Sequence, residues 1–221
     1  MLRQMLVTQW KWSKLELGVF AVLCFALPTF MMKIFRYAGG SAGPTVSIET
    51  LLQASSVIGV ALAFVALLCG VTIAVRPWIV DHGRQHVLAL SLPIAWPEFV
   101  RLRFLAGAIL LGIPAVAVWL GAILAAYSTP VPSTLHVYPG SVAVRFYAAA
   151  LILYAGGFAV QYLVGRKSAA WVAGTFILIV AIELIAQQYF GGSVVVRAWE
   201  LITHWPGPFE VLTARWMLVD V

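Results

Sequence analysis

Long apolar segments separated by short polar ones dominate the hydropathy pattern of this chain of 221 residues. A helix that crosses a bilayer needs about 20 mostly apolar residues. Five segments reach that length, and we predict a transmembrane helix in each, with kinks at Pro28 and Pro114. These segments are residues 15–34, 51–75, 104–127, 146–165 and 168–189.

Composition also indicates a membrane protein, because 62% of the residues are hydrophobic and only 10% are charged. A soluble domain of this size needs more charge to cover its surface. The net charge of +6 would suggest nucleic acid in a soluble protein, but in a membrane protein it reflects topology and anionic lipid. Cys24 and Cys69 lie within apolar segments and indicate neither a disulfide framework nor a metal site. We predict an all-α polytopic membrane protein that binds no nucleic acid, metal or cofactor.

Two amphipathic segments flank the predicted spans in this single transmembrane domain. Residues 1–15 mix basic side chains with leucine, methionine and tryptophan, which predicts an interfacial helix; a frayed basic tail is the alternative. Residues 191–221 carry several charges and predict an amphipathic tail, with short surface pieces at 194–203 and 209–218.

The polar segment at residues 76–103 lies between the second and third predicted spans and contains several leucines, so it predicts a short amphipathic helix at the membrane surface. Lysine and arginine are enriched in cytoplasmic loops. A cytoplasmic N-terminus puts nine of the 14 basic residues, including those of residues 76–103, inside the cell, and leaves the tail outside.

Residues that could carry chemistry are few. His82 and His86 are four positions apart beside Asp81, but the glutamate of a zinc-protease motif is missing, and a solvated surface is the alternative. Glu183 is the acid within a predicted span; it is a candidate intramembrane polar site, or else it lies near the headgroups. The phosphate-binding GxxxxGK[ST] motif is absent, so we expect no ATP hydrolysis by this chain itself.

The polar segment also resembles part of a known family. An uncharged span, then Asp81-x-Gly83-Arg84, then LALSLPI at residues 88–94, then Arg101 and Arg103 before another span, is similar to the membrane subunits of type-two ABC exporters. The resemblance implies a permease in the cell inner membrane. It implies two partners, a cytosolic ATP-binding subunit and a second permease chain, and makes residues 76–103 a coupling loop and residues 1–15 an elbow helix. The implied contact residues are Asp81, Gly83, Arg84, Leu88, Leu92 and Pro93.

The sequence also departs from that family, whose permeases usually have six spans where five are clear here. A structural or assembly subunit of a larger membrane complex, which transports nothing, is therefore an alternative. A third possibility is an intramembrane enzyme that uses His82, His86 or His136, but the sequence offers these histidines no supporting acids or nucleophiles.

Overall fold

A computed structural model describes residues 1–38, 48–83, 95–129, 131–132, 134–164 and 218–220. Nearly all of these residues are helical. The elements are α1 (Leu2–Ala38), α2 (Ile48–Gly83), α3 (Trp96–Leu110), α4 (Gly112–Ser128), β1 (His136–Val137), α5 (Pro139–Val164) and β2 (Val219–Asp220).

In the described part of the chain, four helical columns are long and apolar enough to cross a membrane: α1, α2, α3 continued by α4, and α5. The structure thus has the character of an all-α membrane protein, as predicted. The fifth predicted span, residues 168–189, lies outside the described residues, and so does most of the tail.

Side-chain contacts show that the columns alternate in direction. Glu16 of α1 pairs with Arg76 of α2 at 2.9 Å, so the start of α1 lies beside the end of α2. Gln9 contacts the backbone of Arg103, and Thr29 contacts that of Gly121, so α1 runs parallel to α3 and α4. We call the end of the bundle that holds the start of α1, the end of α2 and the start of α3 the N-side.

The helix α1 is continuous, which differs from the prediction of an interfacial helix at residues 1–15 followed by a separate span. Its buried positions, Met5, Gln9, Ser13 and Leu17, follow one another every four residues along one face. Residues 2–17 contain no glycine or proline that would interrupt the helix. The first turns therefore pack against the protein, where Met5 joins a small cluster with Phe99 and Ala106.

In the described part of the chain, prolines lie both at helix boundaries and inside helices, and Pro97 is the second residue of α3. Pro139 is the first residue of α5, where its missing N–H removes no helical hydrogen bond. Pro114 leaves the carbonyl of Leu110 without its usual donor, and the column breaks there into α3 and α4, close to the predicted kink. Pro28 and Pro77 lie inside α1 and α2.

The helix α2 continues to Gly83, although the sequence predicted that the span would end at Arg76-Pro77. A proline inside a helix costs about 3 kcal/mol. Burial of Trp78 and Asp81, which are 3% and 1% exposed, gives the last turns tertiary contacts that offset this cost. The polar segment predicted at 76–103 is accordingly helical at both of its described ends.

Glycines allow close helix contacts where the columns meet. A Cβ atom at Gly70 would lie 2.6 Å from the backbone oxygen of Ala150, and one at Gly157 would lie 3.0 Å from the Cβ of Ala74. These contacts also show that α2 and α5 run parallel. Gly156 has nothing within 4 Å of such a Cβ, so only one glycine of the Gly156-Gly157 pair serves the helix contact.

A short antiparallel strand pair closes the end of the bundle opposite the N-side. Val137 of β1 lies opposite Val219 of β2. The hydroxyl oxygen of Ser55, near the start of α2, accepts hydrogen bonds from the backbone N–H groups of Leu218 at 2.7 Å and Val219 at 3.0 Å. Residues 218–220 thus lie beside the loop between α4 and α5, as the predicted topology requires. The sequence had not predicted the strands themselves.

We expect Gly70→Ala to destabilise the bundle by about 1–3 kcal/mol, because the new methyl group would overlap a backbone oxygen that cannot move alone. The matched control is Gly156→Ala, which faces open space and should be neutral or stabilising by up to about 1 kcal/mol, since alanine favours helix. Unfolding in detergent micelles measures both changes. Equal stability of the two variants would contradict the close contact.

The strand pair predicts a specific cross-link. Cysteines introduced at Val137 and Val219 should form a disulfide on mild oxidation, because residues directly opposite in an antiparallel pair have Cβ atoms about 4.5–5.5 Å apart. Mobility of the oxidised chain in a denaturing gel reports the bond. A control pair at Val7 and Val219, at opposite ends of the bundle, should remain reduced; cross-linking of both pairs would refute the placement of β2.

A buried ion pair as the candidate functional site

The polar centre of the described structure is an ion pair between α2 and α3. The Nη1 atom of Arg103 lies 2.9 Å from Oδ2 of Asp81, and each side chain is only 1% exposed. Transferring either charge alone out of water costs several kcal/mol, so each needs the other to remain charged in this position. The pair therefore ties the last turns of α2 to the first turns of α3.

Aromatic rings surround the guanidinium group. The Cζ atom of Arg103 lies 4.3 Å from the ring centroid of Trp78 and 5.6 Å from that of Phe99, both within the range of a cation–π interaction. Phe158 of α5 packs edge-on against Trp78 at 5.6 Å. These rings exclude water from the ion pair and so strengthen its electrostatic attraction.

Two further helices reach the backbone of α3 at the same level. The side-chain amide of Gln9 on α1 donates a hydrogen bond to the carbonyl oxygen of Arg103 at 2.9 Å. The hydroxyl of Tyr154 on α5 donates to the carbonyl oxygen of Phe104 at 3.2 Å. A Cβ atom at Gly107 would collide with the phenol of Tyr154, so glycine is what admits this ring. Helices α1, α2 and α5 therefore all converge on α3 at Arg103.

Within the described residues, the site has more hydrogen-bonding capacity than it uses. The Oε1 atom of Gln9, the hydroxyl of Ser13 and the Nη2 atom of Arg103 are buried and make no hydrogen bond there. These atoms leave room for further hydrogen bonds at the site.

The predicted contact residues fall into two groups. Asp81 is buried and bonded to Arg103, so its side chain does not face the surface in this structure, and its predicted contact with a partner stays a prediction. Gly83 is the last residue of α2. The other predicted residues, Arg84, Leu88, Leu92, Pro93 and the intramembrane candidate Glu183, lie outside the described residues.

The two histidines in the described part of the chain, His82 and His136, do not lie together. His136 lies in β1, next to the residues that contact Ser55, whereas His82 lies near the other end of α2, roughly 40 Å away along the helix. His86 lies outside the described residues. Among the residues that the structure places, no group of three or more His, Cys, Asp or Glu side chains could hold a metal ion. His82 and His136 therefore cannot act together in one site, and an enzyme that uses one of the histidines alone stays an untested possibility.

Sequence reasoning missed most of this centre. The sequence predicts Arg103 only as a basic residue of the polar segment and gives no sign that its side chain is buried. The sequence does contain a pattern that indicates the positions of Gln9 and Ser13. They share the four-residue spacing of Met5 and Leu17, which places all four residues on one face of α1.

Comparisons of the chain with protein-family models, curated proteins and solved structures find no match.

The ion pair predicts strong coupling between its two members. We expect Asp81→Leu to destabilise the bundle by about 3–5 kcal/mol, because it leaves the Arg103 charge buried and unpaired. Adding Arg103→Met should restore most of that loss. A double-mutant cycle based on unfolding in micelles measures the coupling energy.

The partly exposed pair between Glu16 and Arg76 is the control for that cycle, since its side chains are 22% and 46% exposed. Its coupling energy should be about 0–1 kcal/mol. Additive losses for Asp81→Leu and Arg103→Met would show that the buried pair does not hold α2 and α3 together.

Proposed function

We propose that the chain is a permease subunit of an ABC exporter, which couples ATP binding and hydrolysis on a cytosolic partner to export of a hydrophobic or amphiphilic substrate. The observation that supports this most is the buried pair of Asp81 and Arg103. It joins the two helices that flank residues 84–94, the segment in which the sequence predicts the contact with the ATPase.

The ion pair suits a mechanical connection. A force applied to residues 84–94 would reach the end of α2 and the start of α3 together, since Asp81 and Arg103 prevent these ends from separating. Gln9 and Tyr154 would pass the displacement to α1 and α5 through their hydrogen bonds to the backbone of α3. Closure of an ATPase dimer could thus tilt four helices as a unit, a rigid-body form of transmission.

In this proposal, the residues of the polar segment have different roles. Leu88 and Leu92 would fill an apolar cleft on the ATPase, the mode in which a helix binds a groove, and Arg84 would set its register. Asp81 acts from inside, as a positioning residue that holds α2 to α3. Buried charges are retained in membrane proteins chiefly for function, because they cost stability.

A structural or assembly subunit is the second candidate, and helix contacts favour it. Gly70 and Gly157 bring α2 and α5 into close contact, and Gly121 brings α4 against the backbone of α1 at Phe25. Interfaces this close resist sliding, because shifting either helix by one residue would place a side chain where only glycine fits. A rigid bundle of this kind suits a scaffold.

The identity of the copurifying subunits distinguishes the two candidates. The exporter proposal predicts that the full chain, purified from its native membrane, brings down a protein with a phosphate-binding GxxxxGK[ST] motif, identified by mass spectrometry. Leu88→Asp should abolish that association by placing a charge in the apolar cleft, and Leu88→Met should preserve it. Membrane insertion of both variants should be unchanged.

A second measurement is the rate of ATP hydrolysis when the purified partner is mixed with the chain in nanodiscs. With Leu88→Asp, that rate should fall to the rate of the partner alone. Recovery of stable partners that lack a nucleotide-binding motif would refute the exporter and leave the scaffold.

A further inference from the structure

The exposed side chains of α1 change from basic to apolar between residues 14 and 15. Towards the N-side the helix carries Arg3, Lys11 and Lys14, all exposed, with Trp10 42% exposed between them. Beyond this point, the exposed side chains of α1 are apolar as far as Phe30. Leu15 and Val22 lie four and eleven residues after Lys11, so they continue the side of the helix that carries Lys11.

The basic side of α1 cannot turn towards the protein. Arg3, Val7, Trp10 and Lys14 are spaced at intervals of four, three and four residues, which places them on one side of a helix, and Lys11, three residues before Lys14, lies at the edge of that side. The opposite side carries the buried positions, such as Gln9, whose hydrogen bond to α3 fixes the rotation of α1. The basic side chains therefore point outward from the bundle as a fixed stripe.

No acidic side chain neutralises the stripe from within α1. Residues 1–15 contain no aspartate or glutamate, and the next acid, Glu16, is bonded to Arg76 at 2.9 Å. In the described part of the chain, Lys11 and Lys14 form no ion pair. Their charge is thus available to an anion outside the bundle.

Helix length places the stripe at the depth of lipid headgroups. Lys14 and the exposed Lys33 are separated by about 28 Å along α1, at 1.5 Å per residue. The hydrocarbon layer of a bilayer is about 30 Å thick. The two lysines therefore bracket this layer, and Trp10 lies at the depth where tryptophan is enriched.

We propose that the stripe formed by Arg3, Trp10, Lys11 and Lys14 binds anionic phospholipid in the leaflet around the N-side. The lipid phosphate lies against Lys11 and Lys14, and an acyl chain follows Leu15 and Val22 on the side of the helix below Lys11. Charge complementarity favours this occupant over a zwitterionic lipid, and the continuous apolar surface below the cations favours a lipid over an acidic protein. This inference does not depend on the proposed transport function.

Native mass spectrometry of the full chain in detergent tests the site, with phosphatidylglycerol and phosphatidylcholine of identical acyl chains as the two probes. The chain should bind phosphatidylglycerol more tightly. Lys14→Gln should weaken that binding about fivefold, since one basic residue near an anionic surface contributes roughly that factor. Lys14→Arg should retain it, because the charge remains.

The matched control is Lys33→Gln, an exposed lysine on the same helix at the other end, which should change phosphatidylglycerol binding less than twofold. All of these positions are exposed, so unfolding of the variants should match that of the original chain. Equal affinity for the two lipids would overturn the proposal, and so would equal losses in Lys14→Gln and Lys33→Gln. Loss of an acidic protein from the native complex of Lys14→Gln, with lipid binding intact, would assign the stripe to that protein instead.

Discussion

The bond between Asp81 and Arg103 is the constraint on which the arrangement of the helices depends. Two charges inside a protein are tolerable only when paired, so any structure that buries both must bring the end of α2 against the start of α3. That requirement fixes the relative height and rotation of these helices more tightly than apolar contacts could. The glycine contacts between α2 and α5 fix the position of α5, but the ion pair is the contact that sets α3 against α2.

Glycines allow the aromatic residues of α5 to pack around the ion pair of Asp81 and Arg103. Tyr154 covers the backbone of α3 next to Arg103, and it fits there because residue 107 has no side chain. Gly70 and Gly157 then let α5 approach α2 closely enough for Phe158 to reach Trp78, one of the rings beside the guanidinium group. The environment of the ion pair thus depends on three glycines on three different helices.

The sequence predicted the apolar columns well, because membrane spans follow from the hydropathy of each segment alone. It could not predict contacts between segments that are far apart in the chain, such as the pairing of Val137 with Val219. It also failed where tertiary contacts override a local rule: Pro77 indicated the end of α2, but burial of Trp78 carries the helix past it. The sequence places Arg103 in a polar loop, because no spacing rule identifies Asp81, 22 residues earlier, as its partner.

The depth of the ion pair explains how a membrane protein can hold it. Arg103 lies level with Gln9, which precedes Lys14 by about 7 Å along α1 and therefore lies on the headgroup side of the hydrocarbon boundary. A charge costs least near the ends of a membrane helix, so the chain can insert before the pair has formed. Asp81 also precedes residues 84–94 by only a few positions, so in the proposed exporter a displacement of that segment would act first on the polar contact between α2 and α3.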